Sequence, residues 1–227
     1  MAKQVTLALD SSGLTLLAGV QDGEKIYSFR RTGIKQEQFV LPLMERTLAK
    51  AGAELSDVVR VCLVRGPGRF TGIRISLTLA SMLKELNGAA VFGATLFEIL
   101  YQQVQASASF QKWQAANPTG AVAVVLHAFR EEYFLQIFDR AGGAPQWLSV
   151  AQLKEQLTAY AQPLYVAGVD KEGTSLVDLL GERYTFAPLA DCKVRAQTLL
   201  SLAGNPKYEK DALEPLYLKP ARFELNP

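Results

Sequence analysis

The sequence predicts an α/β protein of duplicated design, in which each half runs strand, strand, strand, helix, strand, helix. Three observations lead there. Short apolar, β-branched runs alternate with segments of helical periodicity along the 227 residues. The order of elements before about residue 105 returns after residue 120, as expected for two copies of one unit. The stretch from Val58 to Asn87, VVRVCLVRGPGRFTGIRISLTLASMLKELN, organises the first copy. It reads as a strand covered on both faces, a Gly66-Pro67-Gly68 turn, and an apolar helix entered through Thr71 and Gly72. Asn87-Gly88 stops that helix, with a left-handed residue at its end.

Bulk properties fit a globular protein. The chain is 49% hydrophobic and 20% charged, with a net charge of +2. Scattered charge so near neutrality does not point to a nucleic-acid binder. The opening MAKQVTLALD lacks the apolar core of a signal peptide, and no apolar run has the roughly 18 residues of a membrane span. Cytoplasmic residence is the expectation. Cys62 falls in a strand and reads as a reduced core thiol; Cys192 is the only other cysteine.

In the first half, Gln4 to Asp10 and Leu14 to Gln21 read as strands, and Asp22-Gly23 as a hairpin turn into a third, Lys25 to Arg30. Phe39, Val40, Leu43, Met44, Thr47 and Leu48 recur at helical spacing, which predicts a helix over 35–50 bent at Pro42. A brief strand over 90–93 follows Asn87-Gly88. Thr95 and Glu98 then form a capping-box pattern for a helix to about Gln105. Residues 106–120, ASASFQKWQAANPTG, read as a linker.

The second half offers strands at 121–126, 132–138 and 146–150, a helix at 151–160, a strand at 164–167, and helices at 175–180 and 193–202. The expected domains are therefore 1–105 and 106–227. The segment ALEPLYLK over 212–219 is too apolar for a free end, so the tail 207–227 is expected to pack on the first domain.

Two such units form the architecture of actin, sugar kinases and Hsp70 ATPases, in which each half carries a phosphate-cradling hairpin. The first half supplies one candidate: Asp10, Ser11, Ser12 and Gly13 could hold a phosphate through amides and a metal through the carboxylate. Asp10 is equally readable as a turn-capping residue. The second half has His127-Ala128-Phe129-Arg130-Glu131 at the matching place, without Asp or Gly. A lone pair of lobes with one hairpin is a poor ATPase. His127 is the only histidine, so a two-histidine metal site is excluded. Gly66, Pro67 and Gly68 before a helix N-terminus could hold an anion, but the Gly-Lys-Ser/Thr ending of a Walker loop is missing. Arg74 in the first turn opposes the helix dipole and so calls for a partner. A structural or partner-facing role for this loop and its flanking Arg65 and Arg69 is favoured over catalysis.

The run Gly66-Pro67-Gly68-Arg69-Phe70-Thr71-Gly72-Ile73-Arg74-Ile75, with LALDSS before it and Glu214-Pro215-Leu216-Tyr217-Leu218 near the end, resembles the bacterial TsaB (YeaZ) family. The resemblance implies an ASKHA fold (actin-like, ribonuclease H-like), duplicated, with the second lobe reduced. It implies a non-catalytic paralogue of TsaD without metal or cofactor, a scaffold for a TsaD-like transferase and a TsaE-like ATPase in threonylcarbamoylation of the tRNA adenosine beside the anticodon. Such proteins also pair with themselves through the first-lobe helices, meet tRNA only through the complex, and do not bind membranes. The matching interface here is Phe39, Leu43, Arg46, Leu77, Thr78 and Ser81. Many members carry a His where this chain has Gln36, and an Asp where it has His127, which further lowers the expectation of catalysis. An ATP-dependent enzyme of the sugar-kinase type is the alternative.

Overall fold

The structure, a computed structural model, describes residues 3–171 and 174–219. Two compact units emerge: residues up to Ile99 with Val194–Leu216, and Leu100–Lys193 with the described residues from Tyr217 on.

The first unit is a five-stranded mixed sheet in the order β3-β2-β1-β4-β5. Its strands are β1 (Val5–Asp10), β2 (Thr15–Asp22), β3 (Lys25–Thr32), β4 (Val58–Val64) and β5 (Ala90–Ala94). β1 and β2 are antiparallel and in register from Thr6↔Gln21 to Asp10↔Leu17, while β1, β4 and β5 are parallel. Alternation along these strands sends residues to two cores. Leu7, Leu9, Val61 and Leu63 face the helices α1 (Val40–Lys50) and α2 (Phe70–Asn87), where they meet Met44, Leu48, Ile73, Ala80 and Leu83. Ala8, Cys62, Val64 and Phe92 face the other way and are covered by α7 (Ala196–Leu200), Leu202 and Tyr208. Burial pushes the Cys62 thiol up to about 12, so it stays a protonated, inert core group.

Several expectations change in detail. The helix over 35–50 is a 3₁₀ turn at Gln36–Gln38 followed by α1, which starts at Val40. Pro42 is therefore in the first turn, where its missing amide costs no hydrogen bond. α2 begins at Phe70 after Arg69, so Thr71 lies inside the first turn and does not cap. Gly88 closes α2 in the left-handed conformation. The capping box at the start of α3 (Leu96–Gln105) forms as read: the Thr95 amide donates to Glu98 Oε2 at 2.9 Å and the Glu98 amide to Thr95 Oγ1 at 3.1 Å.

The second unit repeats the sheet design in the order β10-β9-β6-β7-β8. Its strands are β6 (Ala121–Phe129), β7 (Glu132–Phe138), β8 (Gln146–Ser149), β9 (Leu164–Val169) and the two-residue β10 (Thr185–Phe186), which the sequence reading missed. β6 and β7 are antiparallel, and β6 and β9 parallel, as are β1 and β2, and β1 and β4, in the first unit. One face is closed by α5 (Val150–Ala159) through Leu153 and Leu157, and α6 (Val177–Leu180) follows β9. The predicted linker is not one. Residues 108–116 form α4 (Ala108–Ala116), capped by the Ser107 hydroxyl, with Phe110 buried against Trp113 and edge-on to Tyr165 at 5.2 Å.

The division of the chain differs from a single cut at 105/106. Residues 194–216 group with the first unit, with Ala212 buried in its core and the Leu216 amide donating to the Arg65 carbonyl at 2.8 Å. Lys219 instead pairs with Glu132 and lies over the Phe129 and Trp147 rings of the second unit. Residues 220–227 of the expected tail lie outside the described residues. No helix among the described residues is long and apolar enough to cross a membrane.

The α4 packing gives a direct check. Phe110→Ala should lower unfolding stability by about 3 kcal/mol in urea denaturation, since a buried aromatic is deleted. The exposed Lys112→Ala, two residues on, should stay within about 0.5 kcal/mol. A silent Phe110→Ala would restore the linker reading.

Candidate functional site

The site sits where β1 and β4 end. Every residue of β1 is buried, so Asp10 is delivered to the end of a central strand and is itself only 5% exposed. Its Oδ1 accepts the Ser12 amide at 2.9 Å and the Ser12 hydroxyl at 2.6 Å. Burial raises the Asp10 pKa above its ordinary 3.8; the Ser12 hydroxyl and amide and the Arg30 charge oppose that but do not win.

The rest of the hairpin is bound to the Gly-Pro-Gly loop and α2. The Ser11 hydroxyl donates to the Gly72 carbonyl at 2.6 Å and lies 2.6 Å from the Ser76 hydroxyl. The Ser12 carbonyl accepts the Arg69 amide at 2.7 Å. Gln36, buried in the 3₁₀ turn before α1, donates through Nε2 to the Gly13 carbonyl at 2.9 Å. On the far side of the loop the Gly66 carbonyl accepts the Leu96 amide at 2.7 Å. The peptide bond between Gly66 and Pro67 is cis.

These contacts explain the glycines of the motif. A Cβ on Gly72 would lie 1.8 Å from the Ser11 carbonyl oxygen, and one on Gly68 2.4 Å from that of Ser12. Both positions require glycine because two backbones touch there. Gly66 has φ 123, in the region that favours glycine, and faces the Leu216 carbonyl.

The arginines flanking the loop are structural or outward-facing. Arg65 Nη1 donates to the Glu214 carbonyl at 3.2 Å. Arg74 is exposed and its guanidinium lies 5.2 Å from the Phe70 ring centre. Of the expected interface residues, Arg46 and Thr78 are exposed and Ser81 is half-buried. Phe39 is half-buried beneath Arg31, and Arg46 lies over Phe29. Leu43 and Leu77 are each 8% exposed and belong to the core, so they do not face outward. Helical phase explains it: α2 presents Phe70, Arg74, Thr78, Met82 and Leu86 to solvent, each four residues from the next, and Leu77 is turned about 100° away from Thr78, onto the sheet side.

In the second unit the corresponding strand pair closes tightly. Phe129 pairs with Glu132, with Arg130 left-handed in the turn between them. His127 Nε2 is 2.9 Å from the Arg130 carbonyl, and the ring stacks edge-on to Tyr133. The Tyr133 hydroxyl donates to Asp170 Oδ1 at 2.6 Å. Among the described residues no three His, Cys, Asp or Glu side chains gather into a possible metal site.

Sequence reasoning did not find the Ser11–Ser76 pair or the Gln36 tie. The available signals were a serine on the apolar face of α2 and a glutamine ahead of a periodic run.

This arrangement defines a class: a duplicated actin-like α/β protein whose first hairpin is tied into the fold by its own chain. The closeness in fold extends to solved structures. YeaZ from Pseudomonas aeruginosa superposes with a TM-score of 0.68 at 22% identity, covering 95% of this chain and 100% of that one. The ethanolamine utilization protein EutJ from Carboxydothermus hydrogenoformans gives 0.51 at 11% identity, covering 89% and 91%. The family model described as TsaD, tRNA N6-adenosine threonylcarbamoyltransferase, matches residues 35–132. Curated relatives carry the name tRNA threonylcarbamoyladenosine biosynthesis protein TsaB. The one from Buchnera aphidicola subsp. Schizaphis graminum is 33% identical over 100 residues, 44% of this chain and 48% of the relative. The one from Haemophilus influenzae is 31% identical over 140 residues, 60% and 55%. The chain is thus a homologue of proteins named TsaB over the matched stretches, which span about half the length of those relatives.

Two outcomes follow from the geometry. Gly72→Ala should cost at least about 3 kcal/mol of unfolding free energy, because backbone must move. Gly88→Ala, left-handed but with open space around it, should cost only about 1 kcal/mol. For Asp10, a folded pKa above the unfolded one means the folded state holds this proton more tightly. The stability it lends is complete below 3.8 and is lost as pH rises through the folded value. Asp10→Asn keeps an oxygen for Ser12 and carries no charge. At neutral pH it should match or exceed the parent chain in stability, and the difference should shrink as pH falls toward 3.8. A loss of several kcal/mol at neutral pH would mean that the ionised carboxylate is what the hairpin holds.

Proposed function

We propose that this protein is a non-catalytic subunit in the threonylcarbamoylation of tRNA adenosine next to the anticodon, a scaffold or activator for a TsaD-like transferase and a TsaE-like ATPase. The observation that carries this reading is the state of the first hairpin. Ser11, Ser12 and Gly13 hold α2 and the segment before α1, and the Asp10 carboxyl is buried against Ser12. Phosphoryl transfer needs such groups open to substrate and metal. The names of the TsaB relatives and the match to the TsaD model supply the pathway.

The partner surface in this reading is the outward side of α1 and α2. It keeps Arg46, Thr78 and Ser81 from the sequence-based set and adds Phe70, Met82 and Leu86, which are 56%, 48% and 75% exposed. Apolar side chains at that exposure, on a helix already packed on its sheet, support a covering protein. The same surface would join two copies of the chain when the transferase is absent. tRNA would be met only through the complex.

The test is reconstitution. The purified chain with Mg-ATP should show no turnover, and adding it to a TsaD-like transferase and a TsaE-like ATPase should raise modification of tRNA. Robust hydrolysis by the chain alone, abolished in Asp10→Asn, would establish the ATP-dependent enzyme instead. Met82→Asp and Leu86→Asp should leave the fold intact and weaken the complex about tenfold or more, because each places a charge in an apolar contact. Leu77→Asp should unfold the chain. Complexes unchanged by both surface variants would remove this face as the interface.

A further inference from the structure

The second unit has a surface cleft that the proposed function does not use. Its volume is about 270 Å³, and it is lined by Lys154, Thr158, Leu179, Leu180, Arg183 and Tyr184, with Gly181 at the turn. Lys154 and Thr158 share the exposed side of α5, one turn apart, while Leu153 and Leu157 of the same helix face the core. α6 ends at Gly181, whose left-handed φ of 77 turns the chain so that Arg183 and Tyr184 come alongside α5. Arg183 is then positioned twice. Its Nη1 donates to Thr158 Oγ1 at 3.3 Å, and its guanidinium lies 5.1 Å from the Tyr184 ring centre.

We propose that this cleft binds a small phosphomonoester, with Lys154 and Arg183 taking the phosphate and Leu179, Leu180 and Tyr184 taking its apolar body. Neither cation forms an ion pair with a carboxylate among the described residues, unlike Lys3, Lys171, Lys207 and Lys219. A dianionic phosphate matches two cations, and an arginine has five N–H donors, more than its bond to Thr158 uses, to offer its oxygens. The apolar floor gives no partner to a bare inorganic ion beyond charge, so an organic substituent adds affinity. The volume falls just under the roughly 300–1,000 Å³ typical of drug-sized ligands, which limits the ligand to a small one.

The experiment is calorimetric titration of the full chain with phenyl phosphate, inorganic phosphate and phenol at low salt. Phenyl phosphate should bind, inorganic phosphate more weakly, and phenol not at all. Lys154→Gln and Arg183→Gln should each weaken phenyl phosphate binding about tenfold, with unchanged melting temperature, since both side chains are exposed. Lys112→Gln, an exposed lysine of the same unit outside the cleft, should leave it unchanged. Absence of binding at millimolar ligand, or affinity indifferent to both substitutions, overturns the proposal. So does a 5′-phosphorylated RNA oligonucleotide that binds more tightly than phenyl phosphate through the same two cations, since that makes the cleft an RNA contact. None of these outcomes depends on the partner reading of α1 and α2.

Discussion

The close approach of α2 to the first hairpin is the constraint from which the rest of the first unit follows. At Gly72 the helix backbone meets the Ser11 carbonyl with no room for a Cβ, at 1.8 Å from an ideal one. That contact fixes the height of α2 over the sheet. Ile73, Leu77, Ala80 and Leu83 then reach the core laid down by β1 and β4. It also forces the turn between β4 and α2 to be tight, which is why glycines stand at 66 and 68 with a proline between them. The bonds from Ser11, Ser12 and Gly13 hold the arrangement in place, each replacing a contact the hairpin would otherwise make with water or a ligand.

The same constraint separates this hairpin from a working phosphate cradle. Hairpins that bind phosphate leave amides and a carboxylate facing an open space. Here the carboxylate is buried and accepts both donors of Ser12, and burial holds its proton more tightly than usual. A buried charge at this strand end is expensive, and the Arg30 charge offsets only part of the cost. Gln36 fits the same logic: a neutral amide ties the segment before α1 to Gly13, where an ionisable side chain would add another charge to a desolvated corner.

Much of this was legible in the sequence because strands and tight turns write local signals. β7 falls on the residues expected from apolar alternation, and the Thr95–Glu98 capping box forms as its spacing implies. The losses came where tertiary context decides. The stretch over 106–120 is small and polar in composition, yet Phe110 and Trp113, one turn apart, supply enough aromatic surface against Tyr165 to order a helix. Helix starts moved for a related reason: Thr71 is a good cap by type, but the helix begins two residues earlier than such a cap implies, at Phe70, with Arg69 before it. At the site, the residues of the hairpin and of the Gly-Pro-Gly loop were both found, but not that they bond to each other. Pairing across some sixty residues leaves no periodic trace.

Leu43 and Leu77 entered the interface set through the family resemblance, and both are buried in the core of the first unit. A helix on a sheet needs one apolar stripe, and in α2 that stripe includes Leu77. The informative residues are the apolar ones left over on the other side. Phe70, Thr78, Met82 and Leu86, with Arg74 among them, fall every four residues and so form a single ridge inclined to the helix axis. Ridges of this kind favour particular partners. A helix packing its own four-residue ridge alongside would cross at about −50°, and one offering a three-residue ridge at about +20°. Each four-residue step advances about 400° around the axis, so from Phe70 to Leu86 the ridge winds about 160° and its two ends point to different sides of α2. One partner helix would therefore meet only part of the ridge at either crossing, and the exposure of Met82 and Leu86, 48% and 75%, makes the C-terminal part the larger apolar stretch left in water.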